Sequence, residues 1–154
     1  MSLPLPVRLI IEEEDREEEE RVVERLAEKI AARIAPAIPT PVTRKFERTD
    51  IVVDRGLDIV VSRFPGTLRD MTVVGLSDKY ELVFLLDNDV KLRGTWQELA
   101  NLSKYTEIFS CYASDGKYVF ATGNWSWSYS AFIILRVAES VRFEKIIAIW
   151  DEYS

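Results

Sequence analysis

The chain has 154 residues, 47% of them hydrophobic and 11% aromatic, which is enough apolar side chain for one domain with a buried core and excludes a disordered chain. A formal net charge of −6 speaks against a protein that grips nucleic-acid phosphates, which needs clustered Lys and Arg. A single cysteine excludes an intramolecular disulfide, and the lack of any His removes Ser-His-Asp and Cys-His catalysis together with every His-containing zinc site.

The stretch from Met1 to Ile11 is too short and too proline-broken for a signal peptide. No apolar run approaches the roughly 18 residues of a membrane span, so a soluble protein of the reducing cytosol is expected, with no membrane partner. Residues 12–34 are predicted as an amphipathic helix. Val22, Val23, Leu26, Ala27, Ile30, Ala31 and Ile34 recur on one helical face. The acidic run from Glu12 to Glu20 suits the positive end of the helix dipole, and Ala35-Pro36 ends the helix. Pro36, Pro39 and Pro41 then form a stiff link.

Three strands are expected next, as an antiparallel meander: Val42 to Arg48, Leu57 to Phe64, and Lys79 to Leu86. The third is apolar on both faces, as a central strand would be. Thr95-Trp96-Gln97-Glu98 has the form of a capping box, and Leu102, Tyr105, Ile108, Phe109 and Tyr112 follow at helical spacing, predicting a second helix over 96–112. Two further strands, Tyr118 to Thr122 and Phe143 to Trp150, complete the chain. The expected fold class is therefore α+β. It has an N-terminal helix, the meander, a second helix and two late strands, in one mixed or antiparallel sheet with the helices packed on one face. Residues 1–18 read as an N-terminal extension and the start of the acidic helix, and residues 19–154 as a single domain.

Chemistry-bearing residues are few. Asp87 and Asp89 form a close carboxylate pair, suited to acid–base work or to a hard cation, or else to a strand-ending turn in which Asp and Asn bond backbone. The pair lacks the Gly and distal Glu of a calcium loop. Cys111 lacks a neighbouring cation to make it a thiolate and reads as a small buried hydrophobe. Trp125, Trp127 and Tyr129 alternate with serines. Strand spacing would put the three rings on one side, for core packing, for a subunit interface or for base stacking. Asn101-Leu102-Ser103 and Asn124-Trp125-Ser126 are glycosylation triplets in form only. No catalytic residue, metal ligand or cofactor-binding residue is expected. Glu12, Glu13, Glu14, Asp15, Glu17 and Glu18 are the candidate docking or passage-lining surface, and Trp125, Trp127 and Tyr129 the candidate subunit interface.

The expected order of elements resembles the tail terminator (tail-completion, head-to-tail joining) proteins of long-tailed bacteriophages. The resemblance covers residues 19–154. It rests on Glu19-Glu20-Arg21-Val22-Val23-Glu24-Arg25-Leu26, Thr43-Arg44-Lys45-Phe46, Gly56-Leu57-Asp58-Ile59-Val60-Val61-Ser62-Arg63 and Leu76-Ser77-Asp78-Lys79-Tyr80-Glu81-Leu82-Val83. It implies a structural protein of the virion neck or tail, made in the host cytoplasm and assembled as a homo-oligomeric, hexameric ring. Such a ring caps the tail tube protein and meets the head connector protein, while DNA passes through without specific binding. An acidic lumen suits that passage, because like charge keeps DNA from adhering. The segment from Asp78 onward also resembles the cone-shaped fold of nuclear transport factor 2 relatives, which implies a small-ligand-binding or enzymatic domain as the alternative. Residues 42–77 have no counterpart there, and no His is available for the usual acid–base arrangement.

Overall fold

A computed structural model describes residues 40–153. Strand accounts for about 69% of these residues and helix for 7%. The described fold is therefore mostly β rather than α+β. The strands are β1 (Pro41–Val53), β2 (Gly56–Ser62), β3 (Gly66–Gly75), β4 (Tyr80–Leu86), β5 (Asp89–Thr95), β6 (Phe109–Ser114), β7 (Lys117–Thr122), β8 (Trp125–Trp127), β9 (Ala131–Val137) and β10 (Val141–Tyr153). Among the described residues the one helix is α1 (Trp96–Ser103). The helix expected over 12–34 and the expected boundary after residue 18 lie outside the described residues.

The strands form two antiparallel sheets. Sheet A runs β1-β10-β3-β7-β6, with β8 also paired to β3; sheet B runs β2-β9-β4-β5. This replaces the expected single sheet and its meander. β1 pairs with β10, β2 with β9, and β4 lies between β9 and β5. The strand expected to be central, β4, is central in sheet B. It directs Tyr80, Leu82, Phe84 and Leu86 into the core, all at most 2% exposed. Sheet A supplies Leu68, Met71, Val73, Phe120, Phe143, Ile146 and Ala148, each fully buried. Rings interlock between the layers: Phe84 meets Phe120 edge-on at 6.1 Å, and Tyr80 meets Phe143 at 5.2 Å. Strands after residue 78 thus divide between two sheets around a filled interior, which is a sandwich and not a cone.

The expected second helix stops early. Its capping box forms as read: Thr95 Oγ1 accepts from the Glu98 N–H, and Glu98 Oε1 accepts from the Thr95 N–H. After Ser103, however, come Tyr105, Thr106, Ile108, Phe109, Cys111 and Tyr112, a β-branched and aromatic run that favours strand. Thr106 Oγ1 accepts from the Ile108 N–H and turns the chain into β6. Asp115 and Gly116 then both adopt positive φ, 54° and 75°, the two-residue turn that closes a hairpin with β7. Asp87 and Asn88 do the same between β4 and β5, at 55° and 61°.

Gly66 begins β3 beneath the indole of Trp127. A Cβ there would stand 2.5 Å from Trp127 Cζ2 and 2.6 Å from the Asp151 carbonyl oxygen. The backbone oxygen cannot rotate away, so Gly66→Ala must displace both β8 and β10. The expected loss is about 1–3 kcal/mol of stability, read as a lower denaturant midpoint with unchanged slope.

Candidate functional site

The acidic residues Glu12, Glu13, Glu14, Asp15, Glu17 and Glu18 lie outside the described residues. The aromatic triad is described in full, and its members do different things. Trp127 is buried at 4% exposure, and its Nε1–H donates to the Phe64 carbonyl at 2.7 Å. Trp125 is half-buried against Phe84, with ring centres 5.1 Å apart, and its Nε1–H donates to Thr122 Oγ1 at 2.8 Å. Tyr129 lies beyond the end of β8 and is 53% exposed, with its hydroxyl donating to the Asp87 carbonyl. Core packing accounts for Trp125 and Trp127, and only Tyr129 presents a ring to the surface.

Asp87 and Asp89 take different hydrogen-bond partners. Asp89 meets Lys91 at 3.0 Å. Asp87 turns to the β8–β9 connection, where its Oδ1 and Oδ2 accept from the backbone N–H of Ser128 at 3.0 and 2.9 Å. Its Oδ1 also accepts from Tyr129 at 2.8 Å and Ser130 at 3.2 Å. The Asp87 N–H donates in turn to the Ser130 carbonyl at 2.8 Å. One carboxylate thereby fills an anion-binding concavity made by three successive amides. The Ser128 bond first, then those of Tyr129 and Ser130 and the charge of Lys91, hold the carboxyl below its usual range against desolvation.

Cys111, Tyr80 and Glu152 are also committed. Burial pushes the Cys111 thiol up to about 12, so it stays protonated at neutral pH. Burial, and secondarily the neighbouring Cys111, raises Tyr80 far above the ordinary phenol range, and its hydroxyl donates to the Tyr118 carbonyl at 3.0 Å. Glu152 is 6% exposed and accepts from Trp150 Nε1–H at 3.1 Å, with Arg44 at 3.4 Å. Arg44 and Arg48 share a face of β1 with Phe46, over which the Arg48 guanidinium lies at 4.4 Å. Lys45 faces the other way, and Arg63 stacks on Phe132, so these four cations do not form one basic surface. Among the described residues no group of three or more His, Cys, Asp or Glu could hold a metal ion, and no helix is long and apolar enough to cross a membrane.

Two surface features remain. An open cleft of about 490 Å³ lies where Tyr80, Thr95, Gln97 and Arg136 meet. Across it Gln97 Nε2–H donates to Asp78 Oδ2 at 3.0 Å. The second is apolar. Leu102, Tyr105, Ile108 and Tyr112, expected on the buried face of a helix, are 50%, 86%, 57% and 56% exposed, and of that set only Phe109 is buried. They run from the end of α1 through β6. The signal that would have placed them outside is Asp115-Gly116, a hairpin dipeptide that makes the preceding residues a strand. No protein-family model matches this chain, nor does any curated protein sequence.

The Asp87 clamp has a definite pH signature. A carboxyl held below its unfolded value, about 3.9, stabilises the fold above that pH and loses this contribution as pH falls through the folded value. Asn tolerates the positive φ at this position, so Asp87→Asn removes the charge while keeping the turn. Its denaturant midpoint should lie below that of the wild type at pH 7. The two should converge as pH falls through the lowered folded value of Asp87, measured by unfolding at a series of pH values.

Proposed function

We propose that this chain is a non-catalytic subunit that works by assembling with other protein chains through the α1–β6 surface. The observation that carries the reading is the exposure of Leu102, Tyr105, Ile108 and Tyr112 along one stretch of chain. Soluble domains keep contiguous apolar surface small, and side chains of this kind in series mark a place where a partner excludes water. The committed state of Asp87, Cys111, Tyr80 and Glu152 supports the non-catalytic half, since each is tied by burial or bonding rather than poised for proton transfer.

A finer form of this proposal is the ring subunit of a phage neck, the tail terminator, meeting tail tube and head connector proteins. The α1–β6 correction removes the second helix from its support, and the meander is replaced by two sheets. What favours it is the acidic run from Glu12 to Glu20, suited to lining a DNA passage. Sedimentation of the full chain over a wide concentration range tests both levels. Association that weakens in Tyr105→Ser/Ile108→Ser supports the assembly reading, and a six-copy mass supports the ring. A wild-type chain that stays monomeric, alone and with lysate partners, overturns it.

A further inference from the structure

The two sheets leave five strand edges among the described residues: β1, β6 and the three-residue β8 on sheet A, β2 and β5 on sheet B. An open edge carries unpaired N–H and C=O groups that template a further strand, and natural proteins guard such edges with charge, proline or bulges. Four of the five are guarded, β8 by being only three residues long. β1 carries Arg44, Lys45, Glu47, Arg48 and Asp50; β5 carries Asp89, Lys91 and Arg93; β2 has Asp58 beside a bulge. β6 reads Phe-Ser-Cys-Tyr-Ala-Ser, with no charge and no proline, and its register against β7 is unbroken from Phe109 to Ser114.

The hairpin fixes which groups point outward. Across a two-residue turn the flanking pair, Ser114 and Lys117, is hydrogen-bonded. Alternation then turns Ser114, Tyr112 and Ser110 toward β7, and leaves the backbone groups of Phe109, Cys111 and Ala113 facing away from the sheet. Deepening the assembly reading, on which this rests, we propose that β6 pairs antiparallel with β6 of a second copy, joining two copies of sheet A into one continuous sheet.

A second copy fits because the strand is self-complementary. The chain carries a net charge of −6, so two copies repel over most of their surface, but along β6 no like charges are brought together. The register follows from the flanks. With Cys111 on the two-fold axis, Glu107 would face the partner copy's turn at Asp115, like charge against like. Moving the axis to Tyr112 carries Glu107 past that turn and sets the two exposed Tyr112 rings side by side in a non-hydrogen-bonded pair. Ser110 then faces Ser114, and Cys111 faces Ala113, each across the axis.

Cross-linking and charge insertion in the full chain test this. Cα atoms of a non-hydrogen-bonded antiparallel pair lie about 4.5 Å apart, within disulfide range. Tyr112→Cys in a Cys111→Ala background should give a covalent dimer under mild oxidation, while Tyr129→Cys in the same background should not. Tyr112→Lys, which sets two ammonium groups together on the axis, should raise the dimer dissociation constant at least ~tenfold with an unchanged circular dichroism spectrum. A wild type that associates while Tyr112→Lys associates equally well overturns the β6 pairing and leaves the assembly reading standing. Cross-linking through Tyr129→Cys, or a β6 edge protected only by a different protein, overturns it likewise. A wild type that never associates overturns both.

Discussion

Strand β10 is hydrogen-bonded along nearly its whole length on both sides, to β1 and to β3, and the rest of the sandwich depends on that double pairing. Its inward residues Val141, Phe143, Ile146, Ala148 and Trp150 form the floor on which sheet B rests. Strict alternation would not produce that set. Glu144 is an extra residue in β10 opposite β3, and Arg69 is an extra residue in β3 opposite β10. Each bulge shifts the inward set of its own strand by one residue, so that Phe143 and Ile146, and likewise Leu68 and Met71, reach the core three positions apart. Removing either bulge would turn half of a strand inside out.

The bulges explain which parts of the fold were legible beforehand. β2, β4, β7 and the middle of β10 are legible as strands because Ile59, Val60, Leu82, Phe84 and Phe120 stand in apolar runs or clean alternation. β3 is not legible, because Arg69-Asp70 interrupts its apolar pattern and breaks the period of two. The capping box at Thr95 is legible in the sequence and forms, but it starts a helix of only eight residues. Leu102, Tyr105, Ile108 and Tyr112 are spaced as on a helix face, yet beyond Ser103 their β-branched and aromatic neighbours and the Asp115-Gly116 turn decide for strand. Pairing was not legible at all. The meander assumed that consecutive strands are neighbours, whereas β1 finds its partner about a hundred residues along the chain.

The same distinction holds for the site. That Asp87 sits in a turn is a local property of Asp-Asn, and the sequence shows it. That its carboxylate holds the amides of Ser128, Tyr129 and Ser130 depends on how β4 and β9 pair in sheet B, and no local pattern carries that. The aromatic triad shows the converse. Its alternation is real through Trp125 and Trp127, which face the core, but β8 ends before Tyr129. Polar atoms near these rings are answered within the chain, the indole N–H groups by Thr122 and Phe64. Among the described residues the outward edge of β6 and the apolar side chains beside it stay exposed.

The pairing of β1 with β10 also sets an order in time. A ribosome delivers β1 long before β10, and until β10 emerges β1 and β3 lack the strand that lies between them. Sheet B can close earlier, once β9 has been made. The nascent chain therefore holds the unfinished edges of sheet A open from the delivery of β1 to that of β10, and closure over so large a loop is slow. Charges on β1 such as Arg44, Lys45 and Arg48 then have a second use, keeping a waiting strand from joining the wrong neighbour. The uncharged β6 hairpin closes locally, with β7 following after a two-residue turn, and has no such wait.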